Sequence, residues 1–150
     1  MSLTVFRFVC ERGHEFEAPD ASGTYGEFVM RGEKSTEPGL FQAVENSAYA
    51  EVEALLYELG AFRGLAETQQ LDLLQDLFGV ACDPAPDGTR FRIGRKAPCP
   101  VCGTREMSSW EPVGPYCGSF HRVTQSEWSL LSKQEKMALL AGSLDGSNEI

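Results

Sequence analysis

Residues 97–104 read Ala-Pro-Cys-Pro-Val-Cys-Gly-Thr, and residues 8–17 read Phe-Val-Cys-Glu-Arg-Gly-His-Glu-Phe-Glu. In the first stretch Cys99 and Cys102 lie two residues apart, with Pro100 between them and Gly103 behind. That spacing suits a tight knuckle, whose turn aims both sulfurs and several backbone N–H groups at one point. Zinc takes four such donors at ~2.0–2.3 Å in a tetrahedron. The bland alternative is a turn that carries two buried free thiols.

Two further ligands must come from Cys10, His14, Cys82, Cys117 and His121. Two pairs share a gap of three residues: Cys10 with His14, and Cys117 with His121. The first sits in a turn between two strand-like segments, which is how a ribbon presents a knuckle. The expected site is therefore Cys10, His14, Cys99 and Cys102. The rival is the local set of Cys99, Cys102, Cys117 and His121, whose spacing also suits a finger. Either set fills all four positions with protein, whereas catalytic zinc keeps one open for water. Three sulfurs and one nitrogen favour zinc over metals that take oxygen ligands, and redox iron would want four thiolates. Each histidine also has an ordinary reading as a hydrogen-bonding residue, and Cys82 reads as a buried thiol after a helix.

At these residues the chain resembles the small FmdB-like, rubredoxin-type zinc ribbons of bacteria. The likeness covers about residues 3–18 and 91–106, and it implies a structural metal. It departs from that pattern in two ways. Gly13 and His14 follow Cys10 where those ribbons have a second cysteine, and residues 15–98 separate two knuckles that are normally joined by a short link.

Working outward, residues 3–9 alternate as a strand, Glu15–Ala18 continue it after a turn, and residues 24–31 form a third strand candidate. From Leu40 the period changes. Phe41, Val44, Ala48, Val52, Leu55, Leu56 and Leu59 fall three and four apart, which predicts one helix closed by Gly60. Leu71, Leu74, Leu77 and Phe78 predict a second helix over 65–78, so residues 40–80 read as a helical hairpin inserted into the ribbon. Residues 83–88 form a loop, and 91–96 and 106–113 read as strands. Thr124 with Glu127, and Ser132 with Glu135, have capping-box spacing. A C-terminal helix is expected to end near Gly142. The expected fold is α+β: a small antiparallel sheet forming a split zinc ribbon, with the inserted hairpin and a C-terminal helix. It makes one domain over 1–142, followed by a flexible tail over 143–150.

The 150 residues carry 22 acids against 13 lysines and arginines, a formal net charge of -9, which opposes long-range attraction to nucleic acid and anionic membranes. With 42% hydrophobic residues the chain is not disordered throughout. No apolar run approaches the ~18 residues of a membrane span, and Met1–Cys10 lacks the layout of a secretory signal, so the expected location is the cytoplasm. Neither a Walker-type phosphate loop nor a dinucleotide fingerprint is present. Glu45, Glu51, Glu53, Glu58, Glu67, Asp72 and Asp76 fall within 40–80 with only Arg63 against them. Arg90, Arg92, Arg95, Lys96, Arg105 and Arg122 follow later, a modest basic stretch beside the knuckle.

Three functional classes follow. The favoured one is a non-catalytic, acidic protein-binding module on a structural-zinc scaffold, most concretely an immunity or antitoxin-type inhibitor. It would contact a basic partner protein through the acidic helices. The second is a nucleic-acid-associated zinc ribbon in transcription or translation, and the third an enzyme with an unrecognised site.

Overall fold

The computed structural model describes residues 3–21, 27–34, 37–44 and 46–147. It is a mixed α+β structure with two sheets. β1 (Leu3–Cys10) and β2 (Glu15–Ala21) form an antiparallel hairpin, and β6 (Met107–Pro115) pairs with the other edge of β1, giving the order β2-β1-β6. The second sheet has the order β5-β3-β4-β7, from β3 (Glu27–Arg31), β4 (Gly39–Gln42), β5 (Arg92–Ile93) and β7 (His121–Arg122). Its β4–β7 pair is parallel, and its other pairs are antiparallel.

The helices are α1 (Ser47–Glu58), α2 (Glu67–Leu77) and α3 (Lys133–Ser147). α1 starts where the Asn46 side chain accepts from the Tyr49 amide at 2.9 Å. It stops at Gly60, whose φ of 74° suits a residue without a Cβ. α3 opens on the expected capping box: Ser132 Oγ accepts from the Glu135 amide, and Glu135 Oε1 accepts from the Ser132 amide.

The main core lies between the second sheet and the helices. Met30 and Phe41 from the strands meet Val52, Leu55 and Leu56 of α1, Leu74 and Leu77 of α2, and Leu140 of α3. Phe78 packs on Phe41 at 4.5 Å between ring centroids. The following residue has to be small, because a Cβ on Gly79 would overlap the carbonyl oxygen of Phe91. A satellite cluster of Phe8, Ala18 and Ala97 lies under the first sheet.

Several expectations need correction. The helix does not begin at Leu40: residues 39–42 pair with β3, so Phe41 reaches the core from a strand, and Val44 is exposed. A single residue at three- and four-residue spacing cannot reveal that long-range pairing. The 91–96 strand shrinks to Arg92–Ile93 and joins β3 in the second sheet rather than the first sheet. Thr124 and Glu127 form no capping box; Asp83 instead accepts from Thr124 Oγ1 and from the amides of Ser126 and Glu127. α3 runs on through Gly142 to Ser147, into the stretch expected to fray, and residues 148–150 fall outside the described residues, as does the 24–26 part of the third strand candidate.

Candidate metal centre

β1 delivers Cys10 to the end of the first sheet. There the chain reverses through Glu11–His14, held by Cys10 N–H to His14 O and Gly13 N–H to Cys10 O, both at 2.9 Å, with Gly13 at φ 88°. The second knuckle closes in the same manner. The Cys99 amide donates to Thr104 O and the Gly103 amide to Cys99 O, both at 2.8 Å, with Gly103 at φ 76°. The two knuckles meet because β6 follows the second and pairs with β1, placing Cys10 opposite Met107. The Glu11 amide donates to Glu106 O at 3.0 Å and ties the turns together.

Four donor atoms gather at this end: the sulfurs of Cys10, Cys99 and Cys102 and a ring nitrogen of His14, all within 4.8 Å of one another. Zinc–sulfur bonds of ~2.3 Å and a zinc–nitrogen bond of ~2.0 Å give tetrahedron edges of about 3.8 Å between sulfurs and about 3.5 Å from sulfur to nitrogen. The observed separations are 3.8 Å for Cys10 Sγ to Cys102 Sγ, 3.4 Å for Cys10 Sγ to His14 Nδ1, and 3.7 Å for Cys99 Sγ to His14 Nδ1. These three separations match the edges that a small four-coordinate cation requires, and the cluster could hold such an ion. The sulfurs are also far outside bonding distance for a disulfide.

Cys10 and Cys99 are buried, and His14 and Cys102 are half-buried. Burial alone would push the Cys99 thiol up. The amides of Cys102 and Val101 and the neighbouring sulfurs of Cys102 and Cys10 outweigh it and bring the thiol down to about 6. At Cys102 the Thr104 amide favours the thiolate, yet burial and the sulfurs of Cys99 and Cys10 hold that thiol above its ordinary value. Cys99 is thus favoured over Cys102 as the thiolate.

The rival pair lies elsewhere. Cys117 is exposed, and His121 sits on β7 with its ring stacked on Phe91 at 5.7 Å. Neither belongs to the donor group. Cys82 is half-buried between Phe78 O and Gln125, and burial pushes its thiol up to about 12, which makes it a poor nucleophile.

Among the expected docking acids, Glu53, Glu58, Glu67, Asp72 and Asp76 are exposed on α1 and α2, while Glu45 lies outside the described residues. Glu51 is committed elsewhere. It takes Lys136 Nζ at 3.0 Å and the Trp128 indole N–H at 2.7 Å. Sequence reasoning missed this link, because nothing local announces a contact between α1 and α3. A groove of about 700 Å³ runs between α1 and α2, floored by Ala50, Ala54 and Phe62 and edged by Tyr57, Leu71, Glu53, Glu58 and Glu67. No helix among the described residues is long and apolar enough to cross a membrane. Neither a family model, nor a curated protein, nor a solved structure matches this chain.

Proposed function

We propose that this chain is a non-catalytic protein-binding module stapled by one structural zinc ion in a split zinc ribbon. The observation that carries the metal reading is the donor cluster: three sulfurs and one nitrogen within 4.8 Å of one another on two Gly-turned knuckles. Four protein donors leave no position for a substrate or an activated water, which favours a structural role over catalysis. Cys10 and His14 would hold the ion from one side, Cys99 and Cys102 from the other. A metal there would fix the β1–β2 turn against the 97–104 segment, more than eighty residues further along the chain.

The binding half of the proposal is supported by the groove on the helices. Tyr57 is 77% exposed beside it, an aromatic surface that water covers poorly, and the acids on its rim favour a basic protein partner. An immunity or antitoxin-type inhibitor of a basic protein, acting in the cytoplasm, is the most concrete form of this reading.

Elemental analysis of protein purified under reducing conditions, without added metal, should find about one zinc per chain. Protein that is folded, metal-free and fully modifiable at Cys99 and Cys102 would sink the metal reading. Affinity capture at low and moderate salt should retain a protein. Retention of nucleic acid alone would sink the partner reading.

A further inference from the structure

The β3–β5 edge gathers Arg90, Arg92, Arg95 and Arg105, none of them in a carboxylate salt bridge among the described residues, in a protein whose acids outnumber its lysines and arginines by 22 to 13. Arg92 lies on β5, in register with Arg31 on β3. Arg95 follows the Gly94 turn, donating weakly at 3.4 Å to the carbonyls of Arg31 and Arg90. Arg105 reaches in from beyond the second knuckle, donating to Lys96 O and Glu33 O. Arg31 is buried beneath them and donates to the carbonyls of Arg95 and Pro19. Arg95 and Arg105 thus hang on short runs of backbone, through neutral carbonyl oxygens.

Like charges so placed repel one another, and a fold gains nothing from that unless something relieves it. Burial comes first in holding Arg95 below the ordinary guanidinium value; repulsion from Arg92, Arg105 and Arg90 adds to it, and only Glu33 opposes. The Nε–H of Arg92 is a buried donor without a hydrogen-bond partner, which is rare enough in folded proteins to need an explanation. The simplest relief is an anion. A guanidinium's planar fork fits two oxygens of a carboxylate or of a phosphate, but a phosphate has more oxygens and more charge to share among several guanidinium groups on one edge, which favours it over a carboxylate or chloride.

We propose that Arg92, Arg95 and Arg105, with Arg90 at the rim, form a binding site for a small phosphate-bearing anion at the β3–β5 edge. A compact ligand with one or two phosphates fits better than a nucleic-acid strand, because a long polyanion would also meet the repulsion of the -9 net charge. The site lies outside the metal cluster, so it stands or falls independently of the zinc.

The test is a titration of zinc-loaded protein with inorganic phosphate, with pyrophosphate and with single-stranded DNA of increasing length, followed by the arginine Nε–Hε resonances. Pyrophosphate should saturate in the millimolar range or tighter, and the Arg92 resonance should shift. Arg92→Gln and Arg95→Gln should each weaken binding by roughly tenfold, with zinc content and melting temperature unchanged. Arg92→Lys should recover only part of the loss, because it restores the charge without the fork. Unsaturable shifts, or equal binding by the parent and the Gln variants, would overturn the site. DNA binding that strengthens with strand length while pyrophosphate does not bind would assign the arginines to nucleic acid instead. If a Gln variant proves unfolded, the parent's Arg92 shift decides the matter by itself.

Discussion

Replacing Glu51 with Ala should be among the most destabilising changes available at a partly exposed position. Its carboxylate holds the ammonium of Lys136 and the indole N–H of Trp128, joining α1 to the start of α3 and to the turn before it. The two ends of the ion pair differ in burial: the Lys136 side chain is 11% exposed and the Glu51 side chain 41%. An exposed pair contributes ~0–1 kcal/mol, whereas orphaning a buried charge costs ~3–5 kcal/mol. Removing Glu51 orphans the drier partner, which among the described residues keeps the Trp128 ring at 5.4 Å. It also strips the indole N–H of its acceptor, worth ~1 kcal/mol. Water entering from the Glu51 side reduces the total, so Glu51→Ala should cost ~2–3 kcal/mol. Lys136→Met leaves a carboxylate that water can reach and should cost about 1 kcal/mol or less. Adding Lys136→Met to Glu51→Ala should recover part of the loss. Urea unfolding followed by circular dichroism gives each value, with unchanged slopes showing that the comparison is sound. Equal costs for the two single variants, or a cost below about 0.5 kcal/mol for Glu51→Ala, would refute the reasoning from unequal burial.

If the cluster holds the proposed zinc, Cys10→Ser should release it and lower stability by several kcal/mol, on the order expected of a structural site, while Cys117→Ser leaves both unchanged; zinc content and thermal melting decide this, and the reverse ranking would hand the site to the rival set. Chelation of the proposed metal should unfold this end of the first sheet first, read as faster amide exchange at Cys10–His14 and Cys99–Thr104 than in α1. Asp83 should contribute an acid-labile increment of stability. Burial would raise its carboxyl, but the amide of Glu127, the hydroxyl of Thr124 and the amide of Ser126 outweigh that and depress it. A depressed folded value means the increment is present above the unfolded carboxylate pKa and is lost as pH falls through the folded one, so Asp83→Asn should flatten acid unfolding curves. Gly79→Ala should destabilise strongly through overlap with the Phe91 carbonyl, and soluble protein with the parent's melting temperature would show that approach to be looser than described.

The two Cys-x-x-x-His pairs, at 10–14 and 117–121, show where sequence reading reaches its limit. They are equivalent as spacings, and only the turn between two strand-like segments favoured the first. The structure separates them by register: β6 pairs with β1 and carries the second knuckle to Cys10, whereas β7 pairs with β4 and takes His121 to the other sheet. The helix faces were legible where the apolar period was sustained, at Val52, Leu55, Leu56, Leu74 and Leu77, all of them buried. Extending that period back to Phe41 and Val44 failed, because a strand of four residues has too little alternation to compete with a helical pattern beside it.

From the sequence alone come the two knuckles, the turn glycines behind them, the capping box that opens α3 and the core faces of α1 and α2. Each is set within a few residues, by turn geometry, side-chain capping or the 3.6-residue repeat, so no distant part of the chain is needed to specify it. Tertiary structure decided which knuckles meet, that residues 39–42 form a strand of a second sheet, that Asp83 caps a turn more than forty residues away, and that Arg92 and Arg105 share one edge with Arg31. Those outcomes depend on pairings between segments far apart in the chain. They are selected by the burial and hydrogen bonding of the whole assembly, and no local spacing encodes them.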